Sequence, residues 1–450
     1  MKRIVLGLLA LLPIAVTAEP IDLETATEMA LEADPRVEER RQLVNAARAL
    51  VREVKGESGL RFDVNSFLGL TLGVDGGFYE GGAETCSGNG CRPRDDLYDG
   101  GHGLSPWLNM QFSVIKPLET FGKIEHYSKA ARHNVKVKDA DVRLAREKTR
   151  IDVARAYFGV LAARDTRRLL EDVQDRVEKA RGIVEEGIQT GKSRLSDRYA
   201  LETGAAMVKR YLAQARSVET IALGGLKTLL GRDLDAELEL ADRHIRPLPM
   251  PETPLDDYID QALEQRPEMQ QVKAGLAARR SLVEAHRAER LPNVYAGVAG
   301  SLSYAPERDR LDNPYIHDPF NHVGATPMVG LQWKWKSGVQ PARVERAQAE
   351  LDALVAKASL ARQGIPYQVA EAHARLASLR EEVEQLDGGS RSARRWMVSS
   401  YADFEAGFEE MSKLVDAFTA YVQTRSEYIS AVNDYNVQRF KLDKISGGMQ

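Results

Sequence analysis

The chain contains itself twice. Ala30-Leu31-Glu32-Ala33-Asp34-Pro35 returns as Ala262-Leu263-Glu264-Gln265-Arg266-Pro267, Gly122 as Gly338, Val153-Ala154 as Val369-Ala370, and Gly191 as Gly407. The offset is 232 residues from Pro35 to Pro267 and 216 from Gly122 to Gly338, so one segment between those points is longer in the first copy. A solenoid unit runs about 20 to 50 residues. A repeat this long is a duplicated half-protein, and its fold must carry two like halves.

Residues 1–18 read as an export signal: Lys2-Arg3, an apolar run from Ile4 to Val16, then Val16-Thr17-Ala18 as a small-residue cleavage site. A membrane anchor is the weaker reading, because the run is short and holds Pro13. No cysteine follows the cleavage point, so a lipid-anchored N-terminus is not expected. Downstream, no stretch approaches the ~20 apolar residues of a spanning helix. Charged residues make up 28% and aromatics 7%, which favours long helices. The formal charge of −4 gives no reason to expect a nucleic-acid partner. Cys86 and Cys91 are the only cysteines. In an exported chain they read as a small disulfide loop; zinc would need two further ligands, and His102 is the only imidazole nearby.

Each half gives the same order: helix, strand, loop, strand, very long helix, glycine-containing turn, helix. The expected division is a first repeat over 19–248, with strands at about 61–74 and 107–116 and a long helix at about 119–189. The second repeat covers 249–450, with strands at about 293–304 and 328–336 and a long helix at about 338–404. The strands alternate apolar and polar residues, as in Phe62, Val64, Leu68, Leu70 and Leu72 against Arg61, Asp63 and Asn65. Val173, Val177, Ala180 and Val184, and again Leu376, Leu379, Val383 and Leu386, fall at coiled-coil spacing. A helix of about 70 residues would be on the order of 100 Å long. Gly364-Ile365-Pro366 is expected to kink the second long helix and Gly388-Gly389 to weaken it. Leu248 to Pro254, with three prolines, links the halves.

The strands decide the class. Each has an apolar face to cover, and each free edge carries unpaired backbone groups. Their length of about 9 to 12 residues is the length that crosses a bilayer when tilted. Trp107, Trp333, Trp335, Tyr295 and Tyr304 lie near strand ends, where an aromatic girdle would sit. In lipid only a closed sheet satisfies every backbone group, so four strands per chain demand several chains. Asn109, Gln111, Gln332 and Lys334 would face a wet lumen. A soluble hairpin packed on a helix bundle explains one such hairpin, but not two, each feeding a long helix behind an export signal.

With these features the chain resembles the TolC-like outer-membrane efflux protein family. The likeness rests on the duplicated Ala-Leu-x-x-x-Pro, Leu291-Pro292 entering a strand, Pro117-Leu118 with Gly122 and Gly338 opening the long helices, and the turns Gly191-Lys192-Ser193-Arg194-Leu195-Ser196-Asp197 and Gly407-Phe408-Glu409-Glu410-Met411. The resemblance implies a mainly α fold with a small membrane β part. Four strands per chain complete a 12-stranded barrel, and the coiled-coil helices form a tunnel, in a homotrimer in the outer membrane of a Gram-negative bacterium. It implies an outer-membrane channel of a tripartite efflux or type I secretion system, reached through a periplasmic adaptor and an inner-membrane pump of the RND, ABC or MFS type, with no chemistry of its own. Ser196 and Asp197 match periplasmic-gate positions in the first copy, Asp416 in the second, and Phe404 stands at an aromatic position. Lys413 replaces an acid found in some members, which puts an acidic ring there in doubt.

Gly191 and Leu195, with Gly407 and Met411, are the expected adaptor contacts. The first turn is basic, with Lys192, Arg194 and Arg198; the second is acidic, with Asp403, Glu405, Glu409 and Glu410. Alternated around three chains, they would latch the entrance at six boundaries; solvated helix ends are the plain alternative. The loop holding Cys86 and Cys91 would face outside and cover the barrel mouth, or merely decorate it. No metal, cofactor or enzyme motif is expected: Gly187 to Ser193 has its glycines one residue too close for a phosphate loop, and no buried strand precedes it. A periplasmic adaptor would have one helical hairpin and a β module rather than two copies, and an exported structural coiled coil is the third reading.

Overall fold

The computed structural model describes residues 20–74, 103–308, 310, 315, 317–334 and 336–448. The export segment, Cys86, Cys91, His102 and Trp335 lie outside the described residues. The first half runs α1 (Leu23–Ala33), α2 (Pro35–Gly56), β1 (Arg61–Leu72), β2 (Leu104–Glu119), α3 (Lys123–Gln189) and α4 (Leu195–Leu229). The second runs α5 (Leu255–Gln265), α6 (Pro267–Ala288), β3 (Asn293–Tyr304), β4 (His322–Gln332), α7 (Val339–Glu405) and α8 (Met411–Ser446). Equivalent elements match in length: 11 residues for α1 and α5, 22 for α2 and α6, 12 for β1 and β3, and 67 for α3 and α7. Among the described residues no helix is long and apolar enough to cross a membrane.

Three features depart most from the sequence expectation. β2 extends to Leu104 and Glu119, past the expected 107–116. β4 begins at His322 and ends at Gln332, not at 328–336. Its first half, His322-Val323-Gly324-Ala325-Thr326-Pro327, is too poor in large β-formers to read as a strand. Pro327 is tolerated because β4 lies at a sheet edge. Trp333, past the strand, donates its indole N–H to the Arg290 carbonyl at 3.1 Å. The third departure is α7, which runs unbroken through Pro366 and Gly388-Gly389. Ile365, Val369 and Ala372 are buried on either side of the proline, so packing holds the turn that lost a backbone bond.

The chain divides into two compact units that cut across the duplication. One holds the described residues up to Leu43, Val137–Val272 and Lys357 onward; the other holds Val44–Lys136 and Lys273–Ala356. The first unit is all helix and connection. Its larger core joins Val153, Tyr157 and Leu161 of α3, Leu226 of α4, Val369 and Leu376 of α7, and Val432, Tyr435 and Leu442 of α8. Its smaller core contains the whole coiled-coil stripe Val173, Val177, Ala180 and Val184, packed on Leu201 of α4 and Leu414 and Phe418 of α8. Asn436, fully buried on α8, fixes the proline-rich linker: its amide donates to the Arg246 carbonyl at 2.8 Å and accepts from the Leu248 N–H at 2.9 Å.

The second unit holds the sheet, in the order β1-β2-β3-β4 with every neighbouring pair antiparallel. β1 and β4 are its open edges.

Candidate functional site

Residues paired across an antiparallel ladder share a face, so the register sorts the sheet into two surfaces. One surface carries Phe62, Val64, Leu68, Leu70 and Leu72 of β1 against Leu104, Pro106, Leu108, Phe112 and Val114 of β2. It continues through Val294, Ala296, Val298, Leu302 and Tyr304 of β3 to Val323, Ala325, Pro327, Val329 and Leu331 of β4. Between Lys116 at the helix end and Tyr304 at the far end, Ser66 is its only polar side chain. No described residue covers this surface: Leu68 is 76% exposed and Val329 74%. The other surface carries Asp63, Asn65, Asn109, Gln111, Ser113, Ser301, Ser303, Thr326 and Gln332. An exposed apolar patch this continuous, on a sheet with two open edges, marks an interface with something other than water.

The helix corners carry charged networks whose leading residue has opposite sign in the two copies, Asp34 in the first and Arg266 in the second. Asp34 precedes Pro35 at the start of α2. Its carboxylate accepts the Arg36 backbone N–H at 2.8 Å, the Arg36 guanidinium at 2.8–3.1 Å and the Thr149 hydroxyl. Arg36 also reaches Asp152 at 2.9 Å. Burial alone would raise the Asp34 pKa, but Arg36 and Thr149 outweigh it and hold the carboxyl at about 2. In the second copy the equivalent residues are Arg266, Glu268 and Gln368: Arg266 pairs with Glu268 at 3.1 Å and donates to Gln368 at 2.9 Å.

Glu147 of α3 is buried, and its Oε2 has no hydrogen-bond partner. Burial first, and then Glu268, raise its pKa to about 7, against the opposing pull of Lys444, Arg266 and Arg143. A carboxyl raised in the folded state contributes full stability below its ordinary 4.5 and loses it as pH rises toward 7. Glu147→Gln should therefore stabilise the protein by about 1 kcal/mol at pH 8 and leave it unchanged near pH 4.5, measured as melting temperature by circular dichroism. Equal melting temperatures at pH 8 would show that the carboxyl finds water in solution.

The two helical hairpins end in turns built alike. Gly191 (φ +73°) and Gly407 (φ +81°) take the left-handed conformation that closes a helix, with N–H groups returning to the Ile188 and Phe404 carbonyls. Asp197 accepts the Arg194 N–H at 2.9 Å and so caps α4. Ser196, Lys413 and Asp416 are exposed, and Phe404 packs on the smaller core.

Three comparisons bear on this geometry. Residues 258–448 match the family model described as outer membrane efflux protein. The fold matches CusC with a TM-score of 0.74 at 17% identity, over 94% of this chain and 92% of that one. The second repeat carries the outer membrane efflux protein pattern, and the fold of the whole chain is the TolC-like channel fold. The Campylobacter jejuni outer membrane channel CmeC matches with a TM-score of 0.75 at 13% identity, over 95% of this chain and 85% of that one. The open state of the Neisseria gonorrhoeae channel MtrE matches with a TM-score of 0.73 at 17% identity, over 94% and 88%. No curated protein matches the chain in sequence.

Against this TolC-like frame two site expectations change. Met411 is 7% exposed and belongs to the smaller core, because it opens α8 on the face turned toward α3. Its side chain is therefore not offered to an adaptor. Phe408 is the exposed side chain at the tip of the second hairpin, at 86%; a phenylalanine between two turn residues is the signal that identifies it. Second, no ion pair joins Lys192, Arg194 or Arg198 to Asp403, Glu405, Glu409 or Glu410 among the described residues of one chain. Arg198 instead leans on Glu202 of its own helix at 3.6 Å. The charge contacts expected between the two turns are therefore not formed within one chain among the described residues.

Proposed function

We propose that this protein is the outer-membrane duct of a tripartite efflux or type I secretion system, carrying cargo from periplasm to exterior through a homotrimer. The observation that supports it most directly is the apolar face, in register across all four strands and bare in one chain. Closed with two further copies, twelve strands bury both edges, turn that face to lipid and enclose the polar face as a wet lumen. An even number of strands per chain makes every seam between copies antiparallel, like the pairs within the chain.

The hairpin tips are the periplasmic end. Gly191, Leu195, Gly407 and Phe408 form the adaptor-facing surface, and the adaptor connects it to an inner-membrane pump. Lys192, Arg194 and Arg198 of one copy face Glu409 and Glu410 of the next and hold the entrance shut at three seams. Each exposed pair contributes about 0–1 kcal/mol, so the latch is weak enough for an adaptor to open.

Purified protein in planar bilayers should insert as trimers with small single-channel conductance. Reversing Glu409 and Glu410 to Lys should raise that conductance severalfold. An absence of channels from the native chain rejects the duct, whereas native channels left unchanged by the reversal reject only the latch.

A further inference from the structure

The described residues that follow β3 and precede β4, 305–308 and 317–321, lie against one surface of the sheet, and that surface is the polar one. Ser105 accepts the Glu307 N–H at 3.0 Å, and the Val74 N–H donates to the Glu307 carbonyl at 3.0 Å. Arg308 donates to the Leu72 carbonyl at 3.1 Å, and Ser303 donates to the Pro319 carbonyl at 2.8 Å. Phe320 packs on Trp107 with ring centroids 5.0 Å apart, and the Arg308 guanidinium lies 3.8 Å over the Phe320 ring. Trp107 is itself locked by Phe67 edge-on at 4.9 Å and by an indole bond to Ser303 at 2.8 Å. Ser105, Trp107 and Ser303 all point from the polar face.

The loop is also braced internally. Asn321 accepts the Ala305 N–H at 2.9 Å and donates to the Arg308 carbonyl at 2.6 Å, while Asp318 accepts the Phe320 N–H at 2.9 Å. Ser105, Ser303, Ala305 and Asp318 are buried by this arrangement within a single chain. At the same end of the sheet the apolar face stays bare, with Leu70, Leu72, Leu104 and Tyr304 all exposed. A loop that merely sought hydrophobic cover would have taken that side.

From this geometry we infer that the two described flanks of the β3–β4 connection, 305–308 and 317–321, form a fixed constriction at the outward mouth of the barrel, with Trp107, Arg308 and Phe320 as its positioning residues. The inference rests on the duct reading, which makes the polar face the lumen. Three copies place three such loops around one axis, each crossing β1, β2 and β3 of its own chain. The exit is then narrowed by bonds within each subunit, independent of the periplasmic gate. It sets an upper size on what can pass in either direction at the cell surface.

The test places a reporter beneath the loop. Ser113→Cys lies on the polar face of β2, nearer the helices than Trp107, in a chain also carrying Cys86→Ser and Cys91→Ser. Intact cells are treated from outside with two membrane-impermeant maleimides, one small and one bearing a polyethylene glycol chain comparable in width to a 12-stranded lumen. Arg308→Ser with Phe320→Ser alters only the loop and leaves the strands unchanged. If the pair lowers the amount of trimer, Arg308→Ser alone serves. Labelling by the large reagent should rise about tenfold in the variant, with the small reagent changed less than about twofold. Equal large-reagent rates, with the small reagent reacting in both, overturn the constriction and leave the duct standing. A reporter thiol that reacts with neither reagent in surface-exposed trimers overturns the wet lumen, and the constriction with it.

Discussion

An arginine at position 298 will keep the chain out of the outer membrane, and the same residue at position 299 will not. Val298 and Ala299 are neighbours at the middle of β3, so they share strand, depth and backbone environment. They differ only in face: Val298 pairs with Val114 and Pro327 on the apolar surface, Ala299 with Ser113 and Thr326 on the polar one. An arginine facing lipid near the bilayer centre costs about 2–4 kcal/mol in a barrel, and three copies meet that cost together. On the lumen side the guanidinium stays in water. Heat-resistant trimer in outer-membrane fractions should be lost in Val298→Arg and retained in Ala299→Arg. Equal loss in both would mean that the polar face is packed rather than wet.

The second large effect is at Asp34. Asp34→Ala removes the cap of α2, leaves the Thr149 hydroxyl only the Ala145 carbonyl at 3.1 Å and strands Arg36 beside Asp152 alone. A lost cap costs about 1 kcal/mol and a broken, largely buried ion pair about 3–5 kcal/mol; half-exposed Arg36 keeps some water, so a loss of about 3 kcal/mol per chain is expected. The carboxyl's pKa of about 2 lies below its ordinary 3.8. Its contribution is therefore complete above pH 3.8 and disappears as pH falls through 2. Thermal melts should place the variant well below the native protein at pH 7, with the gap narrowing toward pH 3. A gap unchanged with pH would assign the loss to the cap alone. Arg266→Ala at the equivalent corner should leave Glu268 nearer to Glu147 without its partner and raise pH sensitivity instead.

Most of the architecture is legible because duplication and period are properties of the chain in order. Val173 to Val184 sit at coiled-coil spacing, and every one of them is buried. Phe62 to Leu72 alternate, and they form one face. What stays hidden depends on neighbours distant in sequence. The start of β4 has small residues and a proline, and only its ladder with β3 makes it a strand. Pro366 reads as a kink in sequence, because the buried residues that hold α7 around it come from packing. Asn436, Glu147 and the seating of Arg308 and Phe320 against the polar face have no local signature. Trp107 reads as part of an aromatic girdle, although its odd position in β2 puts it on the polar face with Ser105 and Asn109. The hairpin tips are marked by their glycines, but which side chain points outward, Phe408 rather than Met411, depends on the helix packing.

The connectivity of the sheet has a bearing on biogenesis. α2 and α6 lead into β1 and β3, while β2 and β4 lead out into α3 and α7, so these four helices all join the sheet at the same margin. Only the two hairpin connections emerge at the opposite margin. If the sheet closes as the proposed barrel, a subunit arriving from the periplasm needs to pass just those two connections through the outer membrane. On the duct reading the charged helices, once exported, stay on the periplasmic side of that bilayer.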